Sequence, residues 1–142
     1  MLLSKEKTHD LLPQKKPFIL VDHLINYGID FCTSSFKIPQ DHVLVENDIV
    51  TTGLLIENIA QTAALHLGYT YQQKQMESPI GLIAEIKNLN IFHLPKINDV
   101  LTTKIKIETE VFNCIIVSGE ISIEGQNIAD CNLKVFLNIP NA

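Results

Sequence analysis

The chain has 142 residues and a formal net charge of −5, with 11 basic against 16 acidic side chains. That length suffices to bury one core without metals or disulfides, and the absence of a dense Lys/Arg stripe excludes the basic face that nucleic acid demands. Cys32, Cys114 and Cys131 are too few and too widely spaced for a disulfide framework or a zinc site, and they read as small core hydrophobes in a reducing compartment.

Met1 to Pro13 mixes charges with leucines and offers neither an apolar leader core nor a membrane span, so a soluble, cytoplasmic protein folded as one domain over 1–142 is expected. Thr8 is placed to cap a short helix through His9 to Leu12, which Pro13 and Pro17 stop. Phe18 to Asn26 then reads as a strand, Gly28 to Asp30 as a turn, and Phe31 to Ile38 as the antiparallel partner. Pro39 to Thr51 is polar and mixed. Thr51 or Thr52 is a suitable cap for the one long helix, running to about Gln73. Beyond it the pattern is strand throughout, over Ile80 to Phe92, Val100 to Val111, Cys114 to Ile123 and Ala129 to Leu137. Their short connections predict a meander.

A hairpin, one hydrophobic helix and a meander predict an α+β fold in which an antiparallel sheet curls around the helix. The predicted core is Leu54, Ile56, Ile59, Ala60, Ala63, Ala64, Leu67, Leu82, Ile86, Leu101, Ile105, Val117, Ile121 and Val135. Ala60, Ala63 and Ala64 are small enough to bring helix and sheet together, and Gly68 is expected to weaken the last turns. The same helix carries one carboxylate near its start, Glu57. An ionised carboxylate is too costly to bury unpaired, so Glu57 is either at an exposed helix end or in use. His23 and His66 read as structural, and His9 and His93 as surface residues.

Two motifs resemble the hotdog-fold 3-hydroxyacyl-[acyl-carrier-protein] dehydratases. Leu12-Pro13-Gln14-Lys15-Lys16-Pro17-Phe18-Ile19-Leu20-Val21-Asp22 is similar to that family's Leu-Pro-His-Arg-Tyr-Pro-Phe-Leu-Leu-Val-Asp, and Gly53-Leu54-Leu55-Ile56-Glu57-Asn58-Ile59-Ala60-Gln61 to its Gly-Val-Leu-Ile-Leu-Glu-Ala-Leu-Ala-Gln. The resemblance covers almost the whole chain in element order. The family's catalytic histidine lies in a Gly-His-Phe-Pro segment before the helix glutamate, and no such segment exists here. His42, fifteen residues before Glu57, is the nearest substitute, and Thr52 replaces the proline before Gly53. In this respect the chain looks more like the divergent dehydratase-like proteins of bacterial aryl-polyene and flexirubin-type pigment synthesis.

The resemblance implies a hotdog fold, a thioester substrate on acyl carrier protein or coenzyme A, and dehydration to the trans-2-enoyl thioester in fatty-acid or polyene synthesis. It also implies a homodimer or a higher oligomer of dimers, paired through sheet edges, with active sites at the dimer interface. His42 would take the C2 proton, Glu57 would assist the leaving hydroxyl, and the Gly53 N–H would polarise the thioester carbonyl. Gln61, one turn beyond Glu57, and Leu54 would complete the substrate site. Acyl carrier proteins are acidic, so Lys15, Lys16 and Lys96 are the candidate landing site. Neither a metal nor a cofactor is called for. Two rivals stand beside this reading: a hotdog thioesterase, and a catalytically silent acyl-binding or partner subunit.

Overall fold

The computed structural model describes residues 1–42, 44–46 and 49–138. In chain order the elements are α1 (Lys5–Asp10), β1 (His23–Tyr27), β2 (Phe31–Lys37), the short β3 (Val45–Glu46) and β4 (Ile49–Val50), α2 (Thr52–Gln73), β5 (Ile80–Ile91), β6 (Val100–Val111), β7 (Cys114–Ile123) and β8 (Gln126–Asn138). Six strands form one antiparallel sheet in the order β1-β2-β6-β7-β8-β5, curled over α2 as a hotdog. β6, β7 and β8 are the predicted meander. The β7–β8 turn places Glu124 at φ 50° and Gly125 at φ 83°, the paired left-handed conformation of a tight hairpin, for which glycine is suited.

Thr51 caps α2 by accepting the Leu54 N–H on its hydroxyl at 3.4 Å. The helix meets the sheet along Leu55, Asn58, Ile59 and Thr62, all buried. Close approach comes from the sheet: a Cβ on Gly119 of β7 would lie 2.4 Å from Ile59 Cγ2. A polar network fixes the helix's rotation. Thr103 on β6 donates to Asn58 Oδ1 at 2.5 Å, Thr62 donates to the Asn58 carbonyl at 2.8 Å, and Ser34 on β2 shares a 2.8 Å bond with Thr62. A buried polar group left unpaired costs about 1–3 kcal/mol, so a rotated helix would forfeit several such terms.

The first strand starts later than expected, at His23, because the backbone before it is paired to α2 side chains. Leu20 N–H donates to Gln61 Oε1 at 2.6 Å, Leu20 O accepts from Asn58 Nδ2 at 2.8 Å, and Phe18 O accepts from Gln61 Nε2 at 2.8 Å. The first helix is capped by Ser4, whose hydroxyl accepts the Lys7 N–H at 3.3 Å. Thr8 lies inside that helix, buried, and accepts the Leu24 N–H at 3.1 Å. Leu2 and Leu3 both donate to Leu24 O, so the N-terminal segment occupies the outer edge of β1 at Leu24.

Several predicted core residues are not core. Leu82 and Ile86 are 63% and 42% exposed because β5 is an edge strand with nothing beyond it. Ile56, Ala60, Ala63, Ala64 and Leu67 are half-buried, so the helix is not wrapped on every side. Gly68 does not loosen the helix, which continues to Gln73; it is the seat for the turn after α1, with Leu11 O 2.5 Å from where a Cβ would stand. His66 is buried, its Nε2 2.9 Å from Gly28 O, and its ring stacks on Tyr27 with centroids 4.9 Å apart. His9 is half-buried rather than a surface residue, its Nε2 2.8 Å from Val21 O. Cys32 and Cys131 are buried and Cys114 half-buried, all three free thiols; burial pushes the Cys131 thiol up to about 11.

Candidate active site

Glu57, Ala60, Ala63, Ala64 and Leu67 fall at helical spacing along the open face of α2 and line one wall of a cleft of about 460 Å³. Opposite them stand the start of β5, Ser78 to Ile83, and the inward side chains of β7 and β8, Ile115, Val135 and Leu137. Leu11 to Gln14, the link that follows α1, close one side. The alanines therefore make room for a cavity and not for sheet contact. Most of the lining is apolar, and its size is that of a small-molecule site.

Glu57 is half-buried on this wall, and Gln61 donates to its carboxylate from Nε2 at 3.2 Å. Gln61 is itself locked by its bonds to Leu20 and Phe18, so the carboxylate is held by a group that cannot easily turn away. Gln14 lines the same cleft, and its Oε1 is buried without a hydrogen-bond partner among the described residues.

His42 lies in a different cleft, of about 410 Å³, between α1 and the end of β2. Lys5, Lys16 and Lys37 share that cleft with it, and Asp22 offsets part of their charge through a 3.4 Å bond to Lys5. The Leu44 N–H donates to His42 Nδ1 at 3.1 Å, which in the neutral ring puts the hydrogen on Nε2. Nε2 is buried without a partner among the described residues. Burial lowers the His42 pKa below its ordinary 6.5, while the nearby Pro17 carbonyl pulls the other way.

Gly53 is exposed in the first turn of α2, where backbone N–H groups lack helical partners. Leu54 is fully buried in the core and lines neither cleft. Lys15, Lys16 and Lys96 are all exposed; of these, Lys16 reaches the His42 cleft. One chain therefore brings Glu57, Gln61 and Gln14 together and keeps His42 apart from them. Sequence reasoning missed Gln14, Lys5 and Lys37. Among the described residues no group of His, Cys, Asp and Glu side chains is arranged to hold a metal ion, and no helix is long and apolar enough to cross a membrane.

A family profile described as ApeP-like, ApeP dehydratase, matches residues 6–141. No curated protein sequence matches the chain. Among solved structures, a chain of the dehydratase heterocomplex ApeI:P from Xenorhabdus doucetiae superposes with a TM-score of 0.87 at 16% identity, covering 94% of this chain and 91% of that one. A hypothetical thioesterase from Streptococcus pneumoniae, solved with coenzyme A, gives 0.66 at 14% identity, over 82% and 84% of the two chains. The E. coli PaaI protein of the phenylacetic acid degradation operon gives 0.64 at 11% identity, over 80% of each. At these identities the likeness is one of fold.

Proposed function

Because the chain belongs to the ApeP-like dehydratase family, we propose that it removes water from a 3-hydroxyacyl thioester borne on an acyl carrier protein, leaving the trans-2-enoyl thioester. The observation that carries this reading is the one carboxylate that lines the apolar cleft among the described residues: Glu57, steadied by Gln61, beside a channel suited to an acyl chain. In the elimination a base takes the C2 proton, the C2–H electron pair becomes the C2=C3 bond, and the C3–O bond breaks as Glu57 gives a proton to the departing oxygen. The Gly53 N–H, at the positive end of α2, would polarise the thioester carbonyl. The reaction is redox-neutral and needs no cofactor. Three free thiols suit a reducing cytoplasm.

His42 is the proposed base, and two features of its setting define what it needs. It must give up the Leu44 N–H bond so that Nε2 can accept a proton, and it must meet Glu57 from another chain. A second copy supplies that geometry in this reading. The outer edge of β1 is occupied by the N-terminal segment at Leu24, whereas β5 is exposed along almost its whole length and presents Leu82, Ile83 and Ile86. Pairing two β5 edges would cover this apolar face and the Glu57 cleft together. The exposed Lys15, Lys16 and Lys96 would receive the acidic carrier, with Lys16 nearest the His42 cleft.

Mass spectrometry of the purified protein with 3-hydroxyacyl and 2-enoyl carrier thioesters tests the proposal. Interconversion by one water is expected, reduced by at least about 100-fold in Glu57→Gln and in His42→Ala. A Glu57→Gln variant as fast as the parent would sink it, and release of free acid would point to a thioesterase. Lys16→Glu is expected to raise KM several-fold for carrier-bound substrate and to leave a coenzyme A thioester unaffected. The separation of His42 from Glu57 favours one second reading, a silent acyl-binding subunit, whose signature is tight acyl binding with no turnover.

A further inference from the structure

The Glu57 cleft stops short of the end of α2. Its helical wall runs from Glu57 through Ala60, Ala63 and Ala64 to Leu67, and the next residues of that face, Thr70 and Tyr71, are not part of the lining. Leu67 is the one large apolar side chain that α2 contributes, and it is half-buried, so it remains open to the cavity. Leu11 stands at the same end, its carbonyl packed where a Cβ on Gly68 would lie, and Ser78 and Pro79 carry the chain there from α2 toward β5. Across from the alanines, Gly81 adds no side chain to the cavity; a Cβ on it would already be 3.0 Å from Val135 Cγ1.

Resting on the acyl-thioester reading, we propose that Leu67 sets the length of acyl chain that the cleft accepts. Glu57 and Leu67 are ten residues apart, which is about 15 Å along the helix axis. Van der Waals contact with a terminal methyl takes about 4 Å of that. An extended chain of single bonds advances about 1.2 Å per bond. With C3 beside Glu57, about nine bonds fit before Leu67, so the longest chain taken whole has about twelve carbons. A longer chain must fold back or leave its end in water, and it forfeits the gain that each buried methylene brings. Shorter chains occupy the same place and bury less. One apolar side chain thus sets the preference for length, while the carboxylate and its amide serve every substrate alike.

Saturated S-alkyl pantetheine thioethers of graded length test this without turnover, since they carry no hydroxyl to eliminate. In isothermal titration the parent is expected to gain up to about fourfold in affinity per added methylene. The gain should end at a break near about twelve carbons. Leu67→Ala, which clears the far end, should move the break about two to three carbons longer. Ala64→Leu, which brings the stop nearly one turn closer to Glu57, should move it about four carbons shorter. A general loosening of the fold would not shift the two variants in opposite directions. An affinity that climbs through the series without a break, a break that stays in place in both variants, or one that shifts the same way in both would overturn the role of Leu67. The functional reading is scored apart, by water-mass interconversion of carrier-bound 3-hydroxyacyl substrate. No turnover with the break and its shifts intact refutes dehydration and keeps Leu67, whereas turnover with no break refutes Leu67 alone. No binding at any length overturns the length role as well, and together with no turnover it overturns both.

Discussion

At the scale of single residues, burial decides which titratable groups respond to pH. His66 is almost fully buried, and that burial lowers its pKa below 6.5, with the Gly28 and Ile29 carbonyls and the charges of Asp30 and Glu110 pulling it back up. Below about pH 6.5 the unfolded chain takes up this proton more readily than the folded one, so stability rises with pH through this window and is lost as pH falls. His42 is lowered as well and acts in the same direction. Thermal unfolding should therefore show Tm falling by about 3–6 °C between about pH 7.5 and pH 5.5. His66→Gln, which can still donate to Gly28 O, should flatten that dependence, and an unchanged slope would remove His66 from the account. Glu57 was legible in the sequence because a lone carboxylate in an apolar helix demands an explanation. Gln14 was not, since an amide in a polar link gives no signal until the atoms around it are known to leave it unpaired.

At the scale of elements, the long helix and the strands from Ile80 onward could be read from hydrophobic pattern and capping alone, and the structure places them within a few residues of expectation. The start of the first strand could not, because the backbone before it, at Phe18 and Leu20, is bonded to side chains about forty residues distant on α2, and no local pattern records that substitution. The helix was misread in an instructive way. Residues such as Ala60 and Leu67 looked like core because they are apolar, yet they face a cleft, and composition does not distinguish a packed wall from the lining of a cavity. The close contact lies instead at Gly119. Gly119→Ala would drive a methyl against Ile59 and should cost about 1–3 kcal/mol in urea unfolding. Combining it with Ile59→Ala should be clearly less destabilising than the sum of the two changes. Strict additivity would show that the clash is relieved elsewhere.

At the scale of the whole molecule, the sheet's two edges differ. The alternation of β2, β6, β7 and β8 is that of strands with one face on a core, whereas every residue of β5 from Ile80 to Asn90 is exposed, Leu82 and Ile86 of the expected core among them. Ile86→Asp should leave the monomer folded, since the side chain is already 42% exposed, and should shift sedimentation from dimer to monomer. Retention of the parent's sedimentation would discard β5 as the pairing edge. The bonding of Leu2 and Leu3 to β1 at Leu24 carries a further consequence. A sheet with two free margins can accept a neighbour on each side and go on adding copies without limit. Here, among the described residues, β1 is already bonded on its outer side at Leu24 while β5 is not, so two chains that paired through β5 would each use their open margin and find the other partly occupied.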